Sequence, residues 1–74
     1  MRKKKSSYHR KQSKSYVIFY MCEKNLASYQ EISEIYHISV TRIRHIHSDV
    51  FLELYKRPEE FRKNFLEATG FQFS

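Results

Sequence analysis

Apolar residues recur at helical spacing in four stretches of this chain, separated by short polar breaks. In the first stretch Val17, Tyr20, Met21 and Lys24 fall on one stripe with Ile18 beside it. That spacing predicts a helix over about residues 14–24. Ser13 or Ser15 is its expected N-cap, Asn25 its expected left-handed C-cap, and Leu26 the hydrophobic contact after it. Next comes Ser28-Tyr29-Gln30-Glu31. A serine followed three residues later by glutamate is a capping box, in which each side chain takes the other residue's backbone N–H. It opens a short helix over 29–36, with Ile32, Ile35 and Tyr36 as the inner face and Ser33 as a small residue between them.

The pattern breaks at His37-Ile38, and Ser39 is the next N-cap. A third helix follows over 40–56. Ile43, Ile46, Val50 and Leu54 share one stripe, while Thr41, His45, Ser48 and Leu52 share the opposite side. Arg42 and Arg44 flank that outer side. Pro58 suits the first turn of a new helix, and Glu59 and Glu60 complement its positive end. Phe61, Phe65 and Ala68 give the fourth helix, 58–69, an inner face, with Leu66 adjacent; Gly70 ends it and Phe71 packs back. Glu59–Lys63 and Glu53–Arg57 are i, i+4 pairs in the favourable order, each worth only ~0.3–0.5 kcal/mol. The expected fold class is all-α, a small four-helix domain. One glycine and one proline in 74 residues fit uninterrupted helices rather than a turn-rich sheet.

Charge divides the chain more sharply than hydropathy does. Residues 1–14 hold Arg2, Lys3, Lys4, Lys5, Arg10, Lys11 and Lys14 with no acid, whereas residues 15–74 sum to −1. The reading is a basic flexible arm at 1–12 joined to a near-neutral domain at 13–74. Such an arm attracts phosphate without reading sequence. The run Tyr16–Cys22 follows basic residues as a signal peptide would, but it is short, tyrosine-bearing and lacks a small-residue cleavage site. No stretch reaches the ~18–20 apolar residues of a membrane span. A cytoplasmic, soluble protein with no membrane partner is expected. The single cysteine, Cys22, reads as a small apolar residue. His45 and His47 point to different faces, and no paired carboxylates, glycine-rich phosphate loop or Cys/His ligand spacing is present. No enzyme, cofactor or metal site is therefore expected.

A short helix, a tight turn and a longer helix at 29–55 form a helix-turn-helix pattern. Counting from Tyr29, the apolar slots are Ile32, Tyr36, Ile38, Ile43 and Ile46, the small slot is Ser33, and the turn slot is His37. Histidine is among the residues enriched at positive φ. This stretch resembles region 4 of bacterial sigma factors and, equally, the helix-turn-helix domain of quorum-sensing regulators. Gln30–Tyr36 looks like the first helix of the motif, Ile38–Ile46 like its turn and recognition helix, and Tyr16–Leu26 like the helix before it. The resemblance covers about residues 15–55. It implies base reading from the slots held by Val40, Thr41 and His45, with Arg42 and Arg44 in slots that meet phosphate. Sigma factors commonly place Arg and Glu where Val40 and Thr41 sit, which argues against their standard promoter hexamer. A complete sigma factor, with a region that melts DNA, is not expected.

The chemistry of the residues points the same way. Thr41, His45 and Ser48 face outward where a groove-inserted helix meets base edges, and Arg44 can fork onto guanine. The base-reading set is thus Val40, Thr41, Arg44, His45 and Ser48. Ser28 and Ser39 at the helix starts, Arg42, and Lys3, Lys4, Lys5, Arg10 and Lys11 in the arm make the phosphate-contacting set. The expected function is sequence-specific binding of double-stranded DNA by a transcriptional regulator of a phage or mobile element. A different class is an interaction module that docks on RNA polymerase without reading DNA. A third reading is an accessory protein of DNA packaging or recombination. Twelve aromatic residues are many for this length. Phe51, Leu52, Phe61, Phe65 and Phe71 either cover the core or form a dimer or partner surface, and a homodimer is expected.

Overall fold

A computed structural model describes residues 13–73. Its elements are α1 (Ser13–Glu23), α2 (Tyr29–Tyr36), α3 (Val40–Lys56) and α4 (Pro58–Thr69). The described residues form an all-helical fold, as the periodicity predicts, with no strand among them. The arm at 1–12, with all its basic residues, lies outside the described residues. No described helix is long and apolar enough to cross a membrane.

Local chemistry fixes the helix ends. At α2 the Ser28 hydroxyl accepts the Glu31 N–H at 3.1 Å, and the Glu31 carboxylate accepts the Ser28 N–H at 2.8 Å. At α3 the Ser39 hydroxyl accepts the Arg42 N–H at 3.0 Å. Each cap satisfies donors that a helix start leaves unpaired. Asn25 (φ 55), His37 (φ 60) and Gly70 (φ 83) take the left-handed conformation that stops a helix. Between α3 and α4 stands only Arg57, held out of the helical region at φ −138 and ψ 68, because the ring of Pro58 disfavours helical backbone before it. Ser13 and Ser15 lie inside α1, so neither caps it.

The turn residue offers a test. A non-glycine residue at left-handed φ carries ~1–2 kcal/mol of strain, and the His37 side chain is exposed. His37→Gly is expected to raise stability by about 0.5–1 kcal/mol, the relief being partly offset by the freer unfolded chain. The urea midpoint checks this; a lower midpoint would mean that the imidazole makes a stabilising contact.

Helices α1, α3 and α4 pack on one another, and α2 lies against α3. The buried apolar core is Tyr16, Ile18 and Phe19 from α1, Ile32 from α2, Ile43, Ile46 and Val50 from α3, and Phe61 and Phe65 from α4. The α3 stripe is the one expected. The α1 face is not, because residues 16–22 are apolar on every side and the pattern there selects no face. Ile35, expected inside, is 59% exposed, because a two-turn helix docked on one neighbour buries a single line of side chains.

Aromatic rings fill much of the core between α1 and α4. Phe61 meets Phe19 at 5.6 Å edge-on, and Phe73 returns from the C-terminal end to sit 5.3 Å from Phe61 and 5.2 Å from Phe65. Such pairs add ~0.5–1.5 kcal/mol each beyond the area they bury. Phe61 and Phe65 are fully buried, which removes them from the expected partner surface. The exposed members of that surface are Phe51, Leu52 and Phe71, and Phe71 is half used, edge-on to Tyr20 at 5.1 Å and to Phe65 at 5.5 Å. Cys22 is partly buried against the core. Burial, and then the adjacent Glu23 charge, push its thiol above the ordinary range, which keeps it a poor nucleophile.

Candidate nucleic-acid interface

The sequence pattern places a polar stripe on α3, and the folded chain presents it to solvent. Thr41, Arg42, Arg44, His45 and Ser48 are all exposed, and Val40 is half-buried at the helix start. They are exposed because Ile43, Ile46 and Val50 turn the other side of the same helix into the core. A helix that packs by one stripe must offer the opposite one.

The turn from α2 to α3 is built from one left-handed residue and two hydrogen bonds. His37 at φ 60 reverses the chain after α2. The Ser33 carbonyl accepts the Ile38 N–H at 3.2 Å, and the Ser33 hydroxyl donates to the Ile38 carbonyl. A small hydroxyl residue at this position lets the turn close onto the helix it follows. Ser28 and Ser39, both expected to face phosphate, are exposed. Their hydroxyls are already engaged as caps.

The sequence reading missed a cluster beside this stripe. His47 Nε2 lies 2.7 Å from the Glu23 carboxylate, and its Nδ1 lies 2.9 Å from the Tyr29 hydroxyl. Its ring stacks at a tilt, 5.5 Å from Phe19. Residues of α1, α2 and α3 thus meet at one imidazole. A shallow groove there is lined by Glu23, Tyr29, Arg44, His47, Ser48 and Phe51. Two residues of the expected base-reading set, Arg44 and Ser48, therefore share a wall with Tyr29 and His47. The available signal was the position of His47, four residues after Ile43 and at the edge of the apolar stripe. Its partners are 18 and 24 residues away in sequence, beyond the reach of helical periodicity.

The surface is mixed in charge. Arg42 and Arg44 stand near the start of α3, and Asp49 is exposed further along. An acid there sets a limit on how much of the helix can lie close to phosphate. Phe51, Leu52 and Tyr55 continue the exposed side toward the helix end, at 49%, 46% and 78% exposure. The outer side of α3 thus passes from polar and basic to apolar. No family model, curated protein or solved structure matches this chain, so its own side chains carry the functional reading.

Proposed function

We propose that this chain is a small sequence-specific DNA-binding regulator that lays α3 in the major groove. One observation carries the reading. The solvent stripe Thr41–His45–Ser48, flanked by Arg42 and Arg44, sits on a helix that follows a capped two-turn helix after a left-handed turn at His37. Hydroxyls, an imidazole and guanidinium groups are the donors and acceptors that read base edges. Arg44, Thr41, His45 and Ser48 face the bases, with Val40 offering its methyl groups at the entry. Arg42 and the basic arm hold phosphate.

Selection from a random duplex pool at ~150 mM salt tests the reading, because that ionic strength suppresses binding through charge alone. One enriched motif is expected. Arg44→Ala should then cost about 1–3 kcal/mol on that motif, and relax its sequence at one position. Arg42→Ala should weaken all duplexes alike and lower the salt slope by about 1. Unchanged affinity in Arg44→Ala would remove α3 from the groove.

A second reading rests on a different part of the helix. Phe51, Leu52 and Tyr55 are exposed together, which suits a protein partner such as RNA polymerase, or a second copy of this chain. A palindromic motif from the selection would favour the second copy. No enrichment, together with recovery of polymerase on immobilised protein, would favour the first.

A further inference from the structure

We propose that Tyr29 is a phosphate-contacting residue whose hydrogen bond to DNA is switched on by protonation of His47. This inference rests on the DNA-binding reading above. The Tyr29 hydroxyl is 2.9 Å from His47 Nδ1, and His47 Nε2 is 2.7 Å from Glu23. Tyr29 and His47 line the same groove as Arg44 and Ser48. Tyr29 also follows Ser28 directly at the start of α2.

The direction of the switch follows from counting protons. A neutral imidazole carries one N–H. The Glu23 carboxylate can only accept, so the N–H sits on Nε2 and Nδ1 is an acceptor. Tyr29 must then donate its only proton to Nδ1, and it shows the groove nothing but lone pairs. A phosphate oxygen is also an acceptor, so the two repel. When His47 takes up a proton, both ring nitrogens donate. Nε2–H still holds Glu23, and Nδ1–H now donates to the Tyr29 oxygen. The phenolic proton is released to turn outward and donate to phosphate.

The charges act in the same direction. With His47 neutral, the Glu23 charge faces the groove with Arg44 as the cation on the same wall. Protonated His47 offsets it at contact distance. The further titratable group lining these two hollows, among the described residues, is Cys22, which with Tyr29 and His47 lines the adjoining one. Among the described residues, α4 contributes no lining residue to either hollow. DNA binding is therefore linked to proton uptake by the imidazole, and affinity rises as pH falls.

The test is the affinity of the full chain for a fluorescein-labelled random-sequence duplex at ~50 mM salt, measured by anisotropy from pH 8 to pH 5.5. The chain holds three further histidines, so the comparison is between slopes. Wild type is expected to gain about three- to tenfold more affinity over that span than Tyr29→Phe, the range of one hydrogen bond. His47→Gln, which keeps polar contacts but cannot take up a proton, should show a slope no steeper than that of Tyr29→Phe, because it loses the charge effect as well. His37→Asn, which removes an exposed imidazole outside this groove and suits its left-handed backbone, should keep the extra gain. Equal slopes in wild type, Tyr29→Phe and His47→Gln would overturn the switch while leaving the DNA-binding reading intact. Absence of duplex binding by wild type at every pH would overturn both.

Discussion

Phe61→Ala is expected to destabilise the fold by about 3–5 kcal/mol, the usual cost of removing a buried ring. Phe61 is fully buried and stands among Tyr16 at 6.0 Å, Phe19 at 5.6 Å, Phe65 at 5.5 Å and Phe73 at 5.3 Å. Its neighbours come from α1, α4 and the C-terminal return, so no single element can shift to fill the hole. A chain of 74 residues has a total stability of about 4–11 kcal/mol. The substitution should therefore bring the domain close to unfolding, with a large drop in the urea midpoint. Phe71→Ala is the control, since Phe71 is exposed at 44%; it should cost about 1 kcal/mol or less. A Phe61→Ala protein with an unchanged midpoint but a smaller sedimenting species would return Phe61 to an intermolecular surface.

Phe61 also shows what the sequence could and could not decide. The i, i+4 spacing of Phe61 and Phe65 put both on one face of α4. It could not say whether that face met the chain's own core or a partner, because both are apolar. The helix ends were legible for a different reason. A capping box, a serine cap, a left-handed residue and a proline act within four residues of themselves, so their geometry is written locally. Ser28, Ser39, His37, Gly70 and Pro58 all behave as their chemistry predicts. The face of α1 was not legible, since seven successive residues from Tyr16 to Cys22 are apolar and no polar position breaks the symmetry. The stripe Thr41–His45–Ser48 was legible because Ile43, Ile46 and Val50 leave it no other side. The Glu23–His47–Tyr29 cluster was not, because it joins three helices whose mutual placement only the folded chain provides.

Glu53→Ala is expected to cost about 3 kcal/mol or more, although the sequence marks Glu53 only as half of an i, i+4 pair with Arg57 worth ~0.3–0.5 kcal/mol. Glu53 is only 2% exposed. It lies three residues after Val50, on the inner side of α3. Its Oε1 accepts the Tyr16 hydroxyl from α1 at 2.6 Å, and its Oε2 accepts the Asn64 amide from α4 at 3.3 Å. A single carboxylate thus joins three helices at the centre of the bundle. Arg57, for its part, reaches Glu60 at 3.0 Å. Removing the carboxylate leaves two buried donors without this acceptor, at about 1–3 kcal/mol for each one left unsatisfied, and it adds a cavity. Glu53→Gln should cost less, about 1 kcal/mol. Its carbonyl can accept from Tyr16, and the Asn64 amide can turn its oxygen toward the new NH2 group. Replacing the interaction as a whole has a different expected outcome. Glu53→Leu combined with Tyr16→Phe removes the acceptor and its closest donor together, and such exchanges are often near neutral. The double substitution should therefore be more stable than Glu53→Leu alone, with a coupling of about 1–3 kcal/mol from urea midpoints. Additive costs would show that the carboxylate does not act through Tyr16. A positive coupling would assign Glu53 to holding α1, α3 and α4 in one register, which fixes the direction in which the polar side of α3 faces.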